Sequence, residues 1–170
     1  MNYFEFYELE PQFFIDENLL KKKFYDLSKK FHPDFHANKS EDEQDKILEL
    51  STINNQAFKA LNNFNARLEQ VLQIKGVLQN DEKYELPKDF LMEMMEINES
   101  IMDLSFEPNP EATQALQIQV KQIQEEYEQD LNALAQSYDT HKDESILLKI
   151  KDLWYRKKYL LRIQDSLNKI

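Results

Sequence analysis

Residues 19–38, "LLKKKFYDLSKKFHPDFHAN", decide the fold. Leu20, Phe24, Leu27 and Phe31 recur at steps of four, three and four, the spacing of one apolar stripe along an α-helix. Lys21, Lys22, Lys29 and Lys30 fall off that stripe, on the side left to solvent. Asp16 stands ahead of the pattern as an N-cap. Pro33 stops the helix near Phe31, because the residue before a proline is pushed out of the α region. A polar loop follows, "DFHANKSEDEQ", with Ser40 or Glu41 near the start of the next helix. The acids at 41 to 43 suit the positive end of that helix's dipole.

The second helix carries Ile47, Leu50, Ala57 and Leu61 at steps of three, seven and four. Asn54 stands where this repeat asks for an apolar residue, so either the stripe is offset there or the asparagine is hydrogen-bonded. Two such helices joined by a short loop form an antiparallel hairpin with the loop at one tip. Before the hairpin, "NYFEFYELEP" is an aromatic-rich segment expected to pack and then turn at Pro11. After it, "NARLEQVLQIKG" predicts a shorter helix closed by the sole glycine, Gly76, as a C-cap.

The stretch "GVLQNDEKYELPKD" has the turn chemistry of a boundary, which predicts one domain over 1–75, a linker over 76–88 and a second domain over 89–170. Three helical stretches are expected beyond it: 88 to about 104, 110 to about 138, and 142 to about 168, separated by "SFEPNPE" and "YDTHKDE". Apolar spacing runs through Leu116, Val120, Ile123, Tyr127, Leu131 and Leu134, and again through Ile146, Ile150, Leu153, Leu160, Ile163 and Leu167. Three amphipathic helices with short turns make an antiparallel bundle. The expected architecture is all-α: a helical hairpin domain, then an antiparallel three-helix bundle.

Composition agrees and narrows the function. The 170 residues suit one ordinary domain or two small ones. One glycine and five prolines leave few turn-makers, while 41% hydrophobic residues suffice for a core and argue against global disorder. With no cysteine there is no disulfide, zinc thiolate, cysteine-held iron–sulfur cluster or cysteine nucleophile. No window approaches the roughly 18 apolar residues of a membrane span. The first residues lack the basic start and apolar run of a signal peptide, so a cytoplasmic protein is expected. The net charge of −11 disfavours nucleic acid as a partner. Charge is also polarised: residues 19–31 hold five lysines and one acid, Asp26, whereas residues 89–107 hold six acids and no base. Such runs are ordinarily solvated faces, yet the contrast also fits two surfaces for different partners.

Two histidines flank Asp34, which raises metal binding. His32 and His36 would need one helical face, but Pro33 interrupts it, and His141 is the only other imidazole. No metal and no cofactor is expected. Neither a "GxSxG" elbow nor a glycine-rich phosphate cradle is present, so an enzyme is not expected either.

The tripeptide His32-Pro33-Asp34 gains meaning from its context. "YFEFYEL" resembles the J-domain opening, "LKKKFYDLSKKFHPD" the long second helix, and "NQAFKAL" an element of the third. Together these residues resemble the J-domain family, co-chaperones that stimulate ATP hydrolysis by chaperones of the DnaK/HscA class. The resemblance implies that His32, Pro33 and Asp34, with Lys21, Lys22, Lys29 and Lys30, engage the ATPase. Asp26 departs from the family pattern, which usually has a base there, and implies a dedicated chaperone partner. A stiffened loop at a hairpin tip loses little entropy on docking, and lysines steer encounter with an acidic surface.

"FLMEMMEINESIMDL", at the start of the expected bundle, resembles the HscB family, J-proteins that deliver an IscU-type iron–sulfur scaffold protein to its chaperone. The resemblance implies scaffold contacts at Leu91, Met92, Met95, Glu96, Glu99 and Asp103, and at Tyr155 on the last helix. Asp103 is shorter than the family's usual glutamate. Positions 92, 95, 96, 99 and 103 share one helix face, with Leu91 at its flank and Met94 on another face, where it is expected to be core filler. Taken alone, methionines among acids read first as core filler or a solvated face; the resemblance reverses that order. Some eukaryotic relatives carry a cysteine-rich zinc segment ahead of the J-domain, and its absence implies a bacterial type. The rival expectation is a J-domain co-chaperone with a different client.

Overall fold

Each long helix but one begins where a short polar side chain caps it. The Asp16 carboxylate accepts from the Asn18 and Leu19 amides at 2.9 and 3.1 Å. Ser40 and Glu43 cap one another's backbone in a reciprocal box, and the Ser40 contacts hold the Glu43 carboxyl below its usual range. Asn63, Asn109 and Asp143 start the later helices in the same way, while Pro87 starts one without a side-chain cap. The computed structural model describes residues 1–170, and all its regular elements are helical. They are α1 (Tyr3–Phe6), α2 (Glu17–Lys30), a 3₁₀ turn (Pro33–Phe35), α3 (Glu41–Leu61), α4 (Phe64–Ile74), α5 (Lys88–Phe106), α6 (Pro110–His141) and α7 (Glu144–Leu167). The chain divides into two units, Met1–Leu78 and Gln79–Ile170. None of the helices is long and apolar enough to cross a membrane.

In the first unit, α3 is the central element, with α1, α2 and α4 packed on it. Phe4, Tyr7, Phe13, Leu20, Ala57, Leu61, Leu68, Val71 and Leu72 form its buried interior. The Phe24 and Phe58 rings stack at 4.2 Å between α2 and α3. Asn54 is buried and hydrogen-bonded, which resolves the break in the α3 stripe. Its side-chain nitrogen donates to the Phe24 carbonyl and the Ser28 hydroxyl at 3.1 and 3.0 Å. The Tyr7 hydroxyl reaches its side-chain and backbone oxygens at 2.7 and 2.9 Å. One side chain thus ties the end of α1 and the middle of α2 to α3. Burial pushes the Tyr7 phenol well above its ordinary pKa.

Arg67 is also buried, although nothing in its surroundings in sequence predicts it. It donates to the carbonyls of Phe13 and Leu61, capping the end of α3 from within α4. At the end of α4, Gly76 takes φ +73°, the left-handed conformation that glycine adopts without penalty. There the Gly76 amide donates to Gln73 and the Val77 amide to Leu72, at 3.0 and 3.1 Å. This is the Schellman closure expected of a C-terminal glycine.

In the second unit, α5, α6 and α7 pack against one another. Phe90, Met94, Ile97 and Ile101 of α5 meet Leu116 and Val120 of α6 and Leu160, Ile163 and Leu167 of α7. Towards the other end of the long α6, Leu131, Ala135 and Tyr138 are buried, as are Leu147 and Ile150 of α7. The expected α7 stripe needs one correction: Leu147, not Ile146, occupies the interior, and Ile146 is half-buried in the first turn. A second correction is that α6 runs on to His141, because Lys142 at φ +53° supplies the left-handed stop and donates to the Tyr138 carbonyl at 2.7 Å.

Candidate functional site

Two sets of candidate residues exist, one in each unit. In the first unit, α2 ends at Phe31 and the chain turns sharply through Pro33–Phe35. His32 begins that turn in an extended conformation, and Pro33 takes the position where its missing N–H costs nothing. The His32 Nδ1 accepts from the Asp34 amide at 3.3 Å, while the Asp34 carboxylate lies 3.7 Å from the same nitrogen. His32, Pro33 and Asp34 are all exposed, and so are Lys21, Lys22, Lys29 and Lys30 on α2. The structure therefore brings the stiff turn next to Lys29 and Lys30 in the last turn of α2, with Lys21 and Lys22 exposed further back along the same helix.

His36, which spacing alone left without a role, acts as a clasp. Its Nε2 donates to the Lys30 carbonyl at 2.6 Å, satisfying one of the acceptors left open at the end of α2. That bond commits the ring to the backbone, and no group of three or more histidine, aspartate or glutamate side chains is arranged to hold a metal. Two exposed aromatic residues were not singled out by sequence: Tyr25, on the lysine side of α2, and Phe35 in the turn, whose ring stands edge-on to His32 at 5.8 Å. For Tyr25 its position off the apolar stripe was the signal available, and for Phe35 its place beyond Pro33, where the helix has stopped.

In the second unit, α5 separates its residues cleanly. Met94 is 0% exposed in the bundle interior, whereas Met92 and Met95 are 63% and 59% exposed. Glu96, Glu99 and Asp103 share the exposed side, and Leu91 is half-buried against the bundle core. The helix thus presents flexible, polarizable thioethers among carboxylates, an arrangement able to mould to an apolar strip bordered by cations.

Tyr155 is placed differently from the α5 residues. It lies on α7, half-buried, with its ring stacked on Tyr84 at 4.3 Å and 6° between planes. Its hydroxyl donates to Glu82 at 2.9 Å, and Lys151 meets the other Glu82 oxygen at 2.9 Å. The Lys151 bond, helped by Tyr155 and opposed by burial, holds the Glu82 carboxyl below its usual range. Tyr84 in turn donates to Asp152 at 2.6 Å, and burial with that bond pushes its phenol up to about 12. Residues 82–84, expected as part of a linker, are therefore latched onto α7. A tyrosine inside an otherwise polar stretch was the only hint.

Comparison with known proteins gives one match confined to the second unit and several that span both. Residues 86–168 match the family described as the HSCB C-terminal oligomerisation domain. A co-chaperone protein HscB homolog of Vibrio cholerae is 34% identical, over 98% of this chain and 99% of that protein. An iron–sulfur cluster co-chaperone protein HscB homolog of Arabidopsis thaliana is 29% identical, over 91% of this chain and 59% of its own length. Among solved structures, the chaperone HscB from Vibrio cholerae superposes with a TM-score of 0.69 at 29% identity, covering 99% of this chain and 96% of that one. The human co-chaperone HscB gives a TM-score of 0.72 at 25% identity, covering 99% and 81%.

Proposed function

This chain belongs to the HscB family of co-chaperones, and from that premise we propose that it carries an iron–sulfur scaffold protein of the IscU type to a chaperone ATPase. The scaffold docks on the exposed side of α5, at Leu91, Met92, Met95, Glu96, Glu99 and Asp103, with Tyr155 contributing from α7. The ATPase, of the DnaK/HscA class, docks on His32, Pro33 and Asp34 and on the face of Lys21, Lys22, Lys29 and Lys30. The protein carries out no ATP chemistry itself and holds no cofactor. It biases the chaperone towards the state to which it binds more tightly, which accelerates hydrolysis there. Nothing in this cycle calls for nucleic acid or a membrane, and the cytoplasm of a bacterium is where it would run.

The observation that carries the reading is the opposite burial of neighbouring methionines on α5, Met94 inside and Met92 with Met95 outside. Core filling accounts for the first and not for the others. The test is a titration of the purified protein with an IscU-type scaffold and, separately, with unrelated unfolded peptides. Saturable binding to the scaffold alone is expected. Equal binding to both, or none to the scaffold, overturns the iron–sulfur assignment in favour of another client.

A further inference from the structure

The exposed side of α5 does not stop at Asp103. Met102 is 59% exposed and Phe106, the last residue of the helix, is 80% exposed. With Met92, Met95 and Glu99 they step along the helix by three, four, three and four, so all five lie on one stripe. The residues that α5 buries, Phe90, Met94, Ile97 and Ile101, lie on the opposite side, packed in the bundle core. At 1.5 Å per residue the stripe from Met92 to Phe106 is about 21 Å long. Single exposed apolar residues are ordinary, but four large ones in line on one helix form a patch that marks an interaction surface.

We propose that Met102 and Phe106 extend the client surface to the C-terminal end of α5, so that the scaffold lies along the whole helix. This rests on the function proposed above. Two observations point to this occupant. The stripe is continuous with Met92 and Met95, separated from Met102 only by the turn that carries Glu96 and Glu99. The same helix bears acids at 89, 93, 96, 99 and 103, a further acid follows it at 107, and no base stands from 89 to 107. A second copy packed α5 against α5 would set one acidic helix against another, whereas a client with an apolar strip bordered by lysines or arginines matches both features. Methionine and phenylalanine at the far end would serve as adaptable apolar anchors, with the carboxylates at the rim setting orientation.

The full-length protein is compared with Met92→Ser/Met95→Ser and Met102→Ser/Phe106→Ser double variants by calorimetric titration with an IscU-type scaffold. Thermal melting and sedimentation are recorded alongside. Both variants should melt as the parent does, since all four side chains are exposed, and Met102→Ser/Phe106→Ser should weaken binding at least ten-fold. An affinity within two-fold of the parent, with binding lost in Met92→Ser/Met95→Ser, overturns the extension and leaves the proposed function standing. If the parent itself does not bind the scaffold, the proposed function and the extension fall together. A change in self-association without a change in scaffold affinity assigns the stripe to a second copy and overturns the proposal. A lowered melting temperature in Met102→Ser/Phe106→Ser would show the pair to be structural, with the same result.

Discussion

Asn54 shows how one polar side chain can hold three helices in register. Its amide uses both faces of its chemistry, donating to Phe24 and Ser28 of α2 and accepting from Tyr7 beyond α1. Truncation would remove the side-chain bonds to Tyr7, Phe24 and Ser28, leave the Tyr7 hydroxyl only the backbone carbonyl of residue 54, and open a void, so Asn54→Ala is expected to cost about 2–4 kcal/mol, read by urea denaturation. Loss under about 0.5 kcal/mol would mean that the network is not cooperative. Glu82 is the corresponding residue in the second unit. Folding lowers its pKa, chiefly through Lys151, so its contribution is present above the ordinary glutamate pKa of about 4.3 and vanishes as pH falls through the lower folded value. Glu82→Gln should therefore destabilise by about 1 kcal/mol at pH 7, the pair being partly exposed. The gap between parent and variant should narrow progressively as pH falls below the ordinary glutamate value. A gap independent of pH across that range would rule out the ion pair as its source. Spacing had identified Asn54 as an exception without saying which way it would resolve. The Glu82 contacts reach 69 and 73 positions along the chain, where no local pattern gives a sign of them.

At the scale of the element, α5 is an amphipathic helix with two apolar sides. One is the bundle core, the other is open to solvent, and acids occupy the remainder. Replacing Met92 and Met95 together by alanine should weaken scaffold binding by about 1–3 kcal/mol while leaving the melting temperature of the bundle unchanged. Unfolding of the bundle instead would mean that these side chains are part of its interior. The helical period had already separated Met94 from Met92 and Met95, because a fixed turn of the chain assigns each position to a side. The side expected to be core, that of Met94, is the one that α6 and α7 cover. Helix α2 poses the same question more simply: its stripe of Leu20, Phe24, Leu27 and Phe31 had one face to bury, and its lysines had only solvent to meet.

For the whole molecule, the proposed function divides the labour between two units joined in one chain, which makes the two activities separable. His32→Gln should abolish stimulation of the chaperone ATPase while leaving scaffold affinity unchanged, measured by steady-state hydrolysis and by titration. Normal stimulation by this variant would remove the His32-Pro33-Asp34 turn from the mechanism. Under the proposed function, opposite charge on the two candidate surfaces would add specificity: lysines would meet one partner and carboxylates the other, so that neither surface attracts the wrong protein. The sequence by itself determined the all-helical class, the two sets of helices and the side of each helix on which the candidate residues stand. These follow from periodicity, capping residues and turn residues, all of which act within a few positions along the chain. Tertiary structure alone decided that Asn54 and Arg67 would be satisfied inside, that His36 would clasp the end of α2, and that Tyr84 would lie on Tyr155. It also decided that one side of α5 would stay uncovered. Each of these depends on which distant groups are brought within bonding distance, and that is a property of packing rather than of spacing.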